Sequence, residues 1–110
     1  MTVQITIIGL GQVGASVGLA LAAHTDQVTR LGHDIQPGVA QKAQKMGAID
    51  KLHYNLPAAV AEANIIFLAL PLDQIHATLK IIAQDVKADA VIVDTAPAKV
   101  AVAAWVKELL

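Results

Sequence analysis

The run Val3-Gln4-Ile5-Thr6-Ile7-Ile8-Gly9-Leu10-Gly11-Gln12-Val13-Gly14 constrains this chain more than any other stretch. Apolar, β-branched residues stop abruptly at glycines 9, 11 and 14, and the small residues Ala15, Ser16 and Gly18 follow. Consecutive apolar residues predict a strand over Val3–Ile8 that is covered on both faces. From Gly11 to about Ala23 the residues Val13, Val17, Ala20 and Leu21 recur at helical spacing and predict a core-facing stripe. The chain therefore opens as strand, tight turn, helix. A membrane span is the competing interpretation, because Met1 to Thr25 carries no charged side chain and pairs Gly14 with Gly18. Gly9, Gly11 and Gln12 would interrupt such a span, and no basic flank precedes it.

The same alternation continues along the chain. A second strand is expected over Val28–His33, ending at Asp34, and a helix from Pro37 to Met46 closed by Gly47. Lys51–Tyr54 is read as a short third strand. Asn55 then caps a helix with Pro57 in its first turn, running to about Ala63. Ile65–Leu70 forms a fourth strand, closed by Pro71. Residues Leu72, Ile75, Leu79 and Ile82 mark the core stripe of a helix reaching about Gln84. Ala90–Val93 is the fifth strand, ending at Asp94, and a last helix is expected after Pro97 through Val100, Trp105, Val106 and Leu109.

Strands alternating with helices predict an α/β fold: a doubly wound, mostly parallel sheet of about five strands in three αβα layers, of Rossmann type. At 110 residues the chain is one domain, 1–110, and a two-half dinucleotide fold would continue into a sixth strand. The expectation is thus the N-terminal part of a longer enzyme. Hydrophobic residues make up 55% and charged residues 15%, which excludes a disordered chain. A net charge of −1 without a basic cluster offers nothing to nucleic acid or to an anionic membrane. With no cysteine there is neither disulfide nor thiolate metal site, and no metal spacing stands out. The first basic residue is Arg30, so no signal-peptide n-region precedes the apolar run, and a soluble, cytoplasmic protein is expected.

A glycine triplet alone is a weak signal, but its context here is complete. It follows a strand, opens a helix, and Asp34 stands twenty residues beyond Gly14 at the end of the second strand. In such a fingerprint Gly9 permits the tight turn, Gly11 the close approach of a pyrophosphate, and Gly14 the close packing of helix on sheet. The helix N-terminus at Leu10, Gln12 and Val13 presents N–H groups and a positive dipole end to the phosphates. Asp34 is placed to accept from an adenosine ribose, with Ile35 beside it, so NAD is expected and NADP is the second choice. Ile35 and Gln36 supply no cation for a 2′-phosphate, and Arg30 lies about 13 Å back along the strand. S-adenosylmethionine is disfavoured, because Ile7 and Ile8 stand where a methyltransferase usually has an acidic residue.

Ala69, Leu70 and Pro71 after the fourth strand, and Thr95 after the fifth, lie on the edge where ligands of open α/β sheets bind. Pro71 and Pro97 serve equally well as plain turn residues. His24 and His53 are read as exposed margin residues, and His33 as pointing away from the face of Asp34. His76 borders the apolar stripe of its helix, and Lys99 is read as a solvated lysine. No carboxylate pair or Ser/His/Asp set is present to nominate a catalytic residue.

Several segments together resemble the prephenate and arogenate dehydrogenases. They are Ile7 to Ser16, Gly32-His33-Asp34, Met46-Gly47-Ala48-Ile49-Asp50, Ile65–Leu72 with its Ala-Leu-Pro-Leu ending, and Asp94 to Lys99. The resemblance covers essentially the whole chain and implies an N-terminal NAD-binding domain. It further implies oxidative decarboxylation of prephenate or arogenate with hydride transfer to NAD, in tyrosine biosynthesis. The small-molecule substrate would be held by a catalytic histidine and a helical homodimerisation region beyond residue 110. Where the family carries glycine and serine, this chain has Ala96 and Pro97, and proline has no hydroxyl to donate. Two other readings remain: an NAD(P)-dependent reductase of β-hydroxyacids or imines, and a non-catalytic nucleotide-sensing module.

Overall fold

The computed structural model describes residues 3–94. They form β1 (Val3–Ile8), α1 (Gln12–Ala20), β2 (Val28–His33), α2 (Pro37–Lys45), β3 (Lys51–Leu52), α3 (Leu56–Val60), β4 (Ile65–Leu68), α4 (Leu72–Ile82) and β5 (Val91–Asp94). All strand pairs are parallel, in the order β3-β2-β1-β4-β5. Chain direction across the sheet reverses between β1 and β4, because β1 pairs β2 on one side and β4 on the other. Among the described residues no helix is long and apolar enough to cross a membrane.

Alternation along β1 divides its side chains between two cores. Ile5 and Ile7 pack with Leu10, Ala15, Ala40, Ala43 and Ile49, on the side of α1 and α2. Ile8 packs with Val60, Ile66, Leu68, Ile75, Leu79 and Ile82, on the side of α3 and α4. A sheet with a dry core on each face is the three-layer αβα arrangement expected from consecutive apolar strand residues. The one polar residue enclosed in β1, Thr6, donates its hydroxyl to the Ala59 carbonyl at 2.7 Å, so its burial leaves no polar atom unmet.

Several boundaries differ from expectation. α1 ends at Ala20 and passes into a 3-10 turn over Ala22–His24. There the Leu21 N–H is shared between the Val17 and Gly18 carbonyls at 3.2 Å each, the bifurcated pattern of a tightening last turn. α3 closes at Val60, five residues after its Asn55 cap, whose side chain accepts from the Ala58 N–H at 2.9 Å. β3 is two residues long, and β4 ends at Leu68, leaving Ala69 and Leu70 in the loop before Pro71. The residue before proline is disfavoured from helical geometry, and Pro71 stands as the N-cap of α4. The last predicted helix and Thr95 lie outside the described residues.

The stripe predicted for α1 is not its buried face. Val13 is half-exposed and Ala20 exposed, whereas Gly14, Ala15 and Gly18 are buried. A Cβ on Gly14 would run into the Gly9 carbonyl, and one on Gly18 into the Ala48 carbonyl. The helix therefore approaches its neighbours backbone to backbone through its smallest residues. Apolar periodicity misses such a contact, since glycine adds no hydrophobic signal.

Candidate functional site

The glycine loop owes its shape to two backbone demands. Gly9 has φ +95°, and a Cβ there would strike the Ala69 carbonyl, so only glycine fits between β1 and the loop after β4. Its N–H donates to the His33 carbonyl at 2.8 Å, and the Ala69 N–H to the Ile8 carbonyl at 2.8 Å, which ties together the C-terminal ends of β2, β1 and β4. Gly11 differs: it is exposed, and a Cβ there would meet nothing within 4 Å. Gly11 caps α1 without a side-chain hydrogen bond, and no acidic residue stands in the first turn. The unpaired N–H groups of that turn face outward with the positive end of the helix dipole.

Asp34 bridges two loops. Its Oδ2 accepts from the Leu10 N–H at 2.8 Å and its Oδ1 from the Gln36 N–H at 2.8 Å. Each carboxylate oxygen has a second lone pair, so the group remains an acceptor after both bonds are made. Leu10 itself is turned into the core and contributes only this N–H.

These loops rim a cavity of about 500 Å³ at the C-terminal ends of β1, β2 and β4. That is where direction across the sheet reverses and where open α/β sheets take their ligands. Of the residues nominated from sequence, Gly9, Gly11, Asp34, Ile35, Ala69, Leu70 and Pro71 line it. Gln12 and Val13 sit exposed on the first turn of α1, and Gly14 is buried behind them. Thr95 lies outside the described residues.

Histidine positions divide. His24 and His53 are exposed, as expected. His33 is a correction: it lines the same cavity as Asp34, is only 9% exposed, and its Nδ1 lies 3.0 Å from the His53 carbonyl. The strand ends at His33, so strict strand alternation no longer separates it from Asp34. The opposite wall was not nominated at all. It is a second stripe of α4, with Gln74, Ala77, Thr78 and Ile81 beside the core stripe. Ile81, 55% exposed and off the core stripe, is the residue whose apolar character signals that wall.

Arg30 is fully engaged away from this cavity. It is 5% exposed, donates Nη1 to the Gly18 and Gly47 carbonyls at 2.8 and 2.7 Å, and grips Asp50 through Nε and Nη2 at 3.2 and 3.0 Å. The guanidinium holds the Asp50 carboxyl below its ordinary value, chiefly through these hydrogen bonds and against the opposing effect of burial. The cavity lining contains Asp34 and Asp73 and, among the described residues, neither lysine nor arginine. No group of described residues is arranged to hold a metal ion.

A family model for the nucleotide-binding domain of prephenate dehydrogenase matches residues 17–110. A cyclohexadienyl dehydrogenase of Zymomonas mobilis is 31% identical over 99 residues, which cover 90% of this chain and 34% of that protein. The chain thus spans about a third of the length of this curated relative. Among solved structures, Synechocystis arogenate dehydrogenase superposes with a TM-score of 0.84 at 27% identity, over 96% of this chain and 37% of that one. The Aquifex aeolicus prephenate dehydrogenase solved with hydroxyphenyl propionate and NAD+ gives 0.84 at 18% identity, over 99% and 40%. A Mycobacterium tuberculosis 3-hydroxyisobutyrate dehydrogenase gives 0.80 at 20% over 99% and 38%; these last two likenesses are of fold.

Proposed function

The chain belongs to the family of prephenate dehydrogenase nucleotide-binding domains, and on that premise we propose that it holds NAD for a dehydrogenase acting on prephenate or arogenate. The observation that carries this reading is the cavity where the sheet reverses, rimmed by the glycine turn, a helix N-terminus and Asp34. Gly9, Gly11, Gln12, Val13 and Gly14 form the pyrophosphate cradle, with the first-turn N–H groups of α1 as donors. The open space in front of Gly11 accounts for glycine at a position where the protein's own packing demands none. Asp34 accepts from the adenosine ribose, Ile35 and Ile81 bracket the base, and Ala69, Leu70 and Pro71 flank the route toward the nicotinamide. The cofactor would supply the hydride acceptor for an oxidative decarboxylation. These residues bind it and exclude water around it.

NAD is preferred to NADP because the lining has carboxylates where a 2′-phosphate needs a cation, and Arg30 is consumed by Asp50 and two carbonyls. The residues that grip the substrate and move its proton belong, in this reading, to the rest of a longer, cytoplasmic protein that dimerises through a C-terminal region. A β-hydroxyacid reductase is the second reading. It rests on the fold likeness to the 3-hydroxyisobutyrate enzyme and on Ala96 and Pro97 replacing the resembled glycine and serine.

Calorimetry with NAD, NADP and S-adenosylmethionine tests the cofactor. NAD binds most tightly, NADP more weakly and S-adenosylmethionine not at all; no heat with NAD at millimolar concentration sinks the proposal. Reduction of NAD with prephenate or arogenate, against none with β-hydroxyacids, then separates the two readings.

A further inference from the structure

Two polar side chains of the cavity, both about nine-tenths buried, have no part in the dinucleotide fingerprint. His33 and Thr78 are each 9% exposed and line the space from opposite walls, one at the end of β2 and one on α4. Thr78 has no side-chain hydrogen bond among the described residues, and its hydroxyl, free to donate or accept, sets no requirement on a ligand. His33 does. Its Nδ1 lies 3.0 Å from the His53 carbonyl, an oxygen that can only accept, so Nδ1 carries the proton. In the neutral ring Nε2 is then a lone-pair acceptor. Nε2 has no partner among the described residues and is not fully enclosed.

The lining of that cavity carries the carboxylates of Asp34 and Asp73 and no cationic side chain among the described residues. A ligand that fills this end must bring donors rather than negative charge. We propose that His33 is a second recognition residue for the nucleoside end of the cofactor, its Nε2 accepting a hydrogen bond from a free ribose hydroxyl beside the one taken by Asp34. The inference rests on the NAD reading above and narrows it: the site selects a nucleoside with an unphosphorylated vicinal diol. A 2′-phosphate offers no proton to either acceptor and adds repulsion from Asp34.

Two substitutions separate this role from a structural one. His33→Asn keeps a donor where Nδ1 meets the His53 carbonyl and removes Nε2, whereas His33→Gln keeps an acceptor near Nε2 and gives up the bond to His53. In the intact protein, calorimetry should show His33→Asn weakening NAD binding about 3- to 10-fold, the loss of one neutral hydrogen bond, with NADP binding changed by less than about twofold. His33→Gln should recover NAD affinity to within about twofold of wild type. Thermal melts of both variants confirm that each is folded. Unchanged NAD affinity in His33→Asn, or equal losses in the two variants, overturns the inference while leaving NAD binding intact. A wild-type protein that binds no NAD overturns the underlying reading and this inference with it.

Discussion

At the scale of the single residue, Asp34 makes contacts that its place in the sequence shows only in part. Its spacing from the glycine triplet predicts a ribose partner, the role proposed above. That it also holds the Leu10 and Gln36 N–H groups emerges only when the two loops meet. Asp34→Ala removes an ionised acceptor and frees both loops. NAD affinity is expected to fall about 10- to 100-fold, the range for a hydrogen bond to a charged group, and NADP affinity much less, since the carboxylate repels a 2′-phosphate. Calorimetry with both nucleotides checks this, and equal losses would remove the ribose role. His33 shows the reverse case. Alternation along β2 points it away from Asp34, yet the strand ends there and the chain turns it into the same cavity.

Among the elements, α1 is the clearest instance of a helix that the sequence announces and only packing orients. Its existence was evident from the glycines and from the period of small and apolar residues. Its buried face was not. The valines that suggested a stripe are half-exposed or partly buried, while Gly14 and Gly18 meet backbone carbonyls of the Gly9 turn and of Ala48. Gly14→Ala should therefore destabilise the fold by about 1–3 kcal/mol, the cost of overpacking, although alanine is the better helix former. A lowered midpoint in chemical denaturation would show it, and an unchanged or raised midpoint would contradict backbone contact at this site. α4 carries the complementary lesson. Its core stripe at Ile75, Leu79 and Ile82 is legible from period alone, whereas the neighbouring stripe of Gln74, Ala77, Thr78 and Ile81 is seen to line the cavity only in the folded chain.

Across the whole molecule, Arg30 and Asp50 join segments far apart in the chain: the end of α1 at Gly18, the end of α2 at Gly47, β2, and the approach to β3. Asp50 has a folded-state carboxyl pKa below its unfolded value, so folding is favoured by its ionised form. That contribution is complete above the unfolded carboxylate value near 3.8 and is lost as pH falls below it toward the folded value. Asp50→Asn is accordingly expected to lower stability at neutral pH and to flatten the loss of stability in acid. Thermal melts across pH 2–7 measure both effects. An acid limb identical to that of the wild type would show that the pair does not govern it.

The sequence by itself determined the succession of strands and helices in residues 3–94, the position of the tight turn and the place of Asp34 just after β2. Each of these depends on local chemistry: β-branched runs, glycine's access to positive φ, and helix signals at Pro37, Gly47 and Asn55. Tertiary structure alone decided which face of α1 is buried, that His33 shares a cavity with Asp34, that Arg30 is spent on Asp50, and that α4 supplies the far wall. These four facts join residues distant in the chain or turn on exact strand ends, and no local pattern encodes such contacts. The sheet reverses between β1 and β4, and the cavity lined by His33, Asp34 and α4 lies at the strand ends beside that reversal.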